Sequence, residues 1–308
     1  MDSQPDITPS GFPNTVLWTK GDGCRELAEL LASKDAVAVE GDPNGAGIRH
    51  RADMVVMNKV GSFDLLPVAA PTGFDTEKAS NIVVAVGKGP NSQLAARLAG
   101  RLADRLKLPV EALTAVRPGA PTAPARRLVD QARAPSGMPG RVVEVQSEAD
   151  LLESVAGSTL LLLGAPGGSW LHRQFFGPGA KLLTAAPAGT IVVRDAPRRA
   201  FHLMGEPFGV SRHLLVQDAL MILTEAVTPV VDDGQLVGVV RRKALKDAPA
   251  DGEVADLMET PAYVEATDAL HDLADVVEFY ESSPIPLVDR RGRLVGLLDP
   301  RAVEEGLA

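Results

Sequence analysis

The sequence predicts an α/β chain, a parallel sheet with flanking helices, followed by an α+β module made of two repeats. Three observations carry this. Short apolar runs at 81–86, 110–116, 141–146, 159–163 and 190–194 are separated by segments with helical periodicity, the pattern of strands joined by crossover helices. A glycine-rich stretch at 164–179 sits between an apolar strand and a helix start. Finally, PVVDDGQLVG at 229–238 recurs as PLVDRRGRLVG at 286–296.

In chain order, 15–18 reads as a strand, 24–33 as a helix, and 35–40 and 52–57 as two further strands. Residues 1–78 are therefore expected to form a small α/β extension, of unassigned role, that packs on the neighbouring sheet. The strand at 81–86 leads through Gly87-Lys88-Gly89 into a helix over 92–106, and 110–116 is the next strand. Residues 117–140 are rich in Pro, Ala and Gly and read as a connection carrying one short helix, 125–132. A strand at 141–146 and a helix at 150–156 precede the buried strand at 159–163. Gly177 then reads as the N-cap, and Pro178 as the first residue, of a helix ending near 186. Free N–H groups at such a helix start attract anions, and glycine lets a ligand approach the backbone.

The order of these elements, with the spacing Gly164-x-x-Gly167, nine residues, Gly177, resembles the universal stress protein (UspA-like) family over about residues 80–196. The resemblance implies an ATP-binding site at Gly87, Lys88, Val116, Gly164, Gly167, Gly168, Gly177 and Gly179. It also implies a homodimer paired through the last strand, 190–194, and a role in stress response. Two positions depart from the family's nucleotide-binding pattern: Gly87 stands where an aspartate is usual, and Pro178 where a serine or threonine is. The second change removes a hydroxyl and a backbone N–H together. A weakened nucleotide site and a loop kept only for its turn both remain open.

Residues 195–200 (DAPRRA) read as a Pro-containing hinge. Beyond it, each repeat shows a helical pattern (215–226; 267–281), a strand–turn–strand hairpin and a short helix (243–247; 300–305). This resembles a tandem pair of CBS domains, about 201–250 and 251–308, following a stress-protein-like domain at 79–197. That resemblance implies adenine nucleotides, ATP or AMP, at Val240, Arg241, Arg242 and Lys243. The aspartates that hold a ribose in many such modules are replaced by Ala244 and Ala302. Arg241, Arg242 and Lys243 can meet phosphates as charge-assisted donors, or equally form a solvated basic helix start.

With 308 residues and 45% hydrophobic content, the chain can bury about two domain cores. A formal net charge of −9 argues against a nucleic-acid binder. No apolar run is long enough for a membrane span, and the N-terminus has no signal-peptide pattern. Cys24 is alone, so no internal disulfide forms, which fits a cytoplasmic protein. The histidines at 50, 172, 202, 213 and 271 fall in no metal-ligand spacing, so no metal is required. Asp268, His271, Asp272 and Asp275 share helical spacing but read as a solvated acidic face. Asn58-Lys59-Val60-Gly61 lacks the aspartate of a guanine-reading NKxD, and no phosphate-loop motif precedes it. Ser169 is in no nucleophile elbow, and no general base accompanies it, so the chain reads as non-enzymatic. His172 and Arg173 follow the glycine loop, while Trp170, Phe175 and Phe176 read as core.

Two function classes follow. One is a nucleotide-responsive regulatory protein that binds ATP, ADP or AMP at the glycine loop, the C-terminal cleft or both. The other is a dimeric interaction scaffold with degenerate ligand sites and an unidentified protein partner.

Overall fold

Alternating buried side chains on the strands of the first half create two apolar faces. Ile82, Val84, Leu160 and Leu162 point to one face, and Val83, Ala85, Leu161 and Leu163 to the other. Strands buried on both sides need helices on both sides. The resulting nine-stranded sheet belongs to one of two compact units, residues 7–196. The structure, a computed structural model, describes residues 13–60, 63–133, 137–146, 150, 153, 155, 159–165, 186–270, 273, 276, 279–280 and 283–307, without the side chains of 304–307.

The strands are β1 (Thr15–Trp18), β2 (Asp35–Ala38), β3 (Met54–Val56), β4 (Val68–Thr72), β5 (Asn81–Ala85), β6 (Val110–Val116), β7 (Gly140–Glu144), β8 (Thr159–Gly164) and β9 (Thr190–Arg194). Their order across the sheet is β2-β1-β3-β4-β9-β8-β5-β6-β7. Every neighbouring pair is parallel except β4 and β9, which run antiparallel from Val68↔Arg194 to Thr72↔Thr190.

This corrects an expectation. The β9 edge expected to carry dimerisation is occupied within the chain by β4. Residues 13–72 likewise continue the sheet rather than pack on it as a separate extension.

Helices α1 (Cys24–Leu31) and α3 (Pro90–Leu106) contribute to one core cluster on one face. Leu98 and Leu102 of α3 are almost wholly buried there, each contributing on the order of 1.5–3 kcal/mol through apolar burial. Helix α2 (Pro43–His50) begins at Asp42, whose carboxylate accepts from Asn44 N and Gly45 N, with Pro43 at the first helical position. Helix α4 (Ala123–Arg133) buries Ala125, Val129 and Ala132. The helix expected to end near 186, and most of that at 150–156, lie outside the described residues.

The second unit spans residues 197–308. Its first repeat contains β11 (Val210–Ser211), α5 (Val216–Ile222), β12 (Val227–Asp232), β13 (Gln235–Arg241) and α6 (Arg242–Asp247). The second contains β14 (Val264–Glu265), β15 (Ile285–Val288), β16 (Leu294–Leu298) and α7 (Pro300–Leu307). In both, a short strand pairs parallel to the first arm of an antiparallel hairpin, and the hairpin register shifts at matching positions, Val230/Val231 and Leu287/Val288. The lead-in strand β10 (Met204–Gly205) pairs with β16 of the other repeat, and Glu259 exchanges two backbone bonds with Val239 of β13. Each repeat thus completes the other's sheet, which explains why two are needed.

Candidate functional site

In the first unit the chain leaves β5 toward β6 on one side while β8 flanks it on the other. Ligands of open α/β sheets bind at such a reversal, outside the carboxyl ends of the strands. Val86 O accepts the buried Thr114 hydroxyl at 2.8 Å, and Gly87 N donates to Ser92 Oγ at 2.7 Å. These bonds fix the exit of β5. Gly89, at φ +100°, caps α3, and a side chain at Gly87 or Gly89 would meet nothing within 4 Å.

Gly164 differs. A Cβ there would lie 2.8 Å from Ser92 N and 2.9 Å from Asn91 C, so this glycine lets β8 press against the start of α3. Asn91 completes the junction: its Nδ2 donates to Ala165 O at 3.0 Å and its Oδ1 accepts from Asp195 N at 2.8 Å. Burial pushes the half-buried Asp195 carboxyl above its ordinary pKa, against the opposing influence of the Ala196 N–H and Arg97.

Beside this junction, Val86, Gly87, Lys88, Gly89, Leu128 and Gln131 help line a cleft of about 110 Å³. That is below the roughly 300–1,000 Å³ of small-molecule sites, so the cleft formed by the described residues is too small to enclose a nucleotide. The structure thus gathers Gly87 and Lys88, with Gly164 near them behind α3, while Val116 ends β6. Gly167, Gly168, Gly177 and Gly179 lie outside the described residues, as do Ser169, Trp170, His172, Arg173, Phe175, Phe176 and Pro178. Sequence reasoning missed Asn91 because its two partners are 74 and 104 positions away. Asn58, read from NKxD, donates to Lys20 O and accepts from the buried Cys24 thiol, a structural role.

In the second unit the basic run begins where β13 passes into α6. Val240 is fully buried in the core of the first repeat. Arg241 is engaged within the chain: its Nε donates to Glu259 Oε2 at 3.1 Å, and its guanidinium lies 5.5 Å from the centre of the Phe279 ring. A carboxylate and an aromatic face therefore already hold the charge. Lys243 is exposed.

Arg242 is different again. Its backbone N–H donates to Ala226 O, but among the described residues its buried Nε meets no acceptor. Nearby, the fully buried Tyr280 donates its hydroxyl to Ala262 O, and burial raises its pKa while Arg241 opposes the rise. Ser283 Oγ accepts from the buried Val227 N–H at 3.2 Å. Of the acidic run, Asp268 accepts from Glu265 N, whereas His271, Asp272 and Asp275 lie outside the described residues. No cluster suited to a metal ion occurs among the described residues, and none of their helices is long and apolar enough to cross a membrane.

Comparison with known proteins places a CBS domain at residues 193–251. No curated protein matches the chain. Among solved structures, the cytosolic domain of the Mg2+ channel MgtE in complex with ATP is 29% identical over 35% of this chain and 48% of its own, with a TM-score of 0.32. CBSX2, a CBS-pair protein from Arabidopsis thaliana, is 26% identical over 36% of this chain and 95% of its own, with a TM-score of 0.33. A CBS domain pair/ACT domain protein from Thermotoga maritima is 21% identical over 36% and 96%, with a TM-score of 0.33. The match thus spans about half of the MgtE chain. The chain is a mixed α/β protein with a large, mostly parallel sheet and a CBS domain.

Proposed function

We propose that this protein is a nucleotide-responsive regulatory protein rather than an enzyme, taking an adenine nucleotide at the start of α6, with the Gly87–Lys88 crevice as a second candidate site. The observation that carries this reading is the CBS domain at 193–251, whose basic run holds a buried Arg242 Nε without an acceptor among the described residues. A buried donor left unpaired is unfavourable, so an anionic ligand that accepts from it gains more than a hydrogen bond on an exposed surface would give. Ala244 in place of a ribose-binding carboxylate shifts the recognition toward phosphate. On this reading the ligand acts by favouring one arrangement of the protein over another, which requires different affinities for the two. Stress response, a cytoplasmic location and homodimerisation belong to the same proposal.

The competing scaffold reading has its own observation: Glu259 already neutralises Arg241, and its carboxylate would face an incoming phosphate. Calorimetric titration of ATP, ADP and AMP into the full chain separates the two. Binding that weakens about 10- to 100-fold in Arg242→Gln, the equivalent of one charge-assisted hydrogen bond, supports the proposed site. Binding that weakens only in Lys88→Ala moves the site to the first unit. Folded protein that takes up none of the three nucleotides leaves the scaffold.

A further inference from the structure

The strands on the two sides of the antiparallel seam follow the same order. Counted outward from the seam, one half runs β4, β3, β1, β2 and the other β9, β8, β5, β6, β7. In chain order each half places its last strand at the seam, the preceding strand next, then its first and its second. The larger half only adds β7.

Local sequence repeats as well. β1 is followed by Gly21-Asp22-Gly23 and β5 by Gly87-Lys88-Gly89, and in each case the second glycine caps the next helix with positive φ, +71° at Gly23 and +100° at Gly89. From Thr15 to Gly23 and from Asn81 to Gly89 the spacing is the same without a gap. With one residue inserted after the capping glycine of the second copy, the helices and, at Ala32, the C-cap of α1 carry the same inward pattern. Leu27, Ala28, Leu31 and Ala32 answer to Leu94, Ala95, Leu98 and Ala99, all buried in one cluster on one side of the sheet. Strand order, capping glycine and helix face are separate features, and a chance extension has no reason to reproduce all three.

From these features we infer that residues 13–72 are a shortened second copy of the fold of residues 81–194, and that this copy covers in cis the β9 edge on which a second chain would otherwise pair. Without β4, β9 would present a row of unpaired N–H and C=O groups, the usual template for association with another chain. The isologous contact of a two-fold dimer is thereby built into one chain.

The two copies have diverged at their crevices. A Cβ at Gly21 would fall 1.7 Å from Asn58 Oδ1, so Asn58 fills the loop crevice of the first copy, whereas Gly87 and Gly89 face open space. Among the described residues, the open loop crevice of the first unit is therefore the one at Gly87 and Gly89. This inference stands whether or not a nucleotide binds there.

The position of a cross-link tests it better than total mass, because association through any other surface would also change the mass. Val192 and Ala70 are 8% and 4% exposed and directly opposed. In the full chain, oxidised Ala70→Cys/Val192→Cys is expected to link residues 70 and 192 of the same chain and to run as a monomer on a non-reducing gel. Val192→Cys alone is expected to give no chain-to-chain link at 192. A 192–192 link between chains would overturn the inference. Should the paired cysteines disturb folding, hydrogen exchange of the unmodified protein decides the matter. Protection of residues 190–194 is expected to stay constant on serial dilution, and its loss on dilution would place the partner strand on another molecule.

Discussion

Asn91 holds the ends of β8 and β9 against the start of α3 with a single amide, donating to Ala165 O and accepting from Asp195 N. Removing that amide leaves a carbonyl and an N–H without their partner in a part-buried junction. Asn91→Ala is therefore expected to lower the unfolding free energy of the first unit by about 1–3 kcal/mol, read from the midpoint of that unit's urea transition at unchanged slope. An unchanged midpoint would mean that the amide does not bridge the strands. Asn91 shows what a sequence hides at this scale: the residue is an ordinary polar one in a helix first turn, and its importance lies wholly in distant partners. Arg241 is a second case. Within 241–243 it reads as one of three equivalent cations, yet Glu259 and Phe279 engage it, while the buried Nε of Arg242 meets no acceptor among the described residues.

At the scale of elements, the repeated hairpins were legible because their turn chemistry and alternation recur within one sequence. The glycines inside them had a less visible reason. A Cβ at Gly238 would lie 3.0 Å from Met258 Sδ and 3.1 Å from Glu259 O, and one at Gly296 would lie 2.9 Å from Gly205 O and 3.0 Å from Met204 Cβ. Each glycine thus admits the lead-in segment of the other repeat. Both alanine variants are expected to destabilise the second unit by about 1–3 kcal/mol. Gly296→Ala should cost more, because its nearest obstacle is backbone, whereas a methionine side chain can turn aside. Equal midpoints for the two variants, followed by chemical denaturation, would contradict that ordering. Strand β4 was not legible, since Pro67 and Pro71 break its pattern. The structure accommodates Pro71 because β3 pairs only as far as Ala69, so on that side no donor is needed at 71. Helix α2 did carry a readable start in Asp42-Pro43, but its glycines mask the helical pattern.

For the whole molecule, the relevant fact is that each compact unit carries its own core. Two clusters line the faces of the nine-stranded sheet, and another fills the first repeat of residues 197–308. Cores of this kind unfold as separate cooperative blocks, and a single transition is not expected of the full chain. Scanning calorimetry should accordingly resolve two transitions. The Gly296→Ala substitution identifies the one that belongs to the second unit, because only that transition moves. A ligand that binds the native form alone then raises the transition of the unit that holds it, by about 2.7 kcal/mol at a hundredfold excess over its dissociation constant. If AMP or ATP raises the transition lowered by Gly296→Ala, the nucleotide sits in the second unit, in line with an Arg242 Nε that meets no acceptor among the described residues. If it raises the other transition, the crevice beside Gly87 and Lys88 is the site, and the basic run at 241–243 serves only to start a helix. A single transition that moves as one would show instead that the two cores melt together, and the division of the chain into independent blocks would have to be given up.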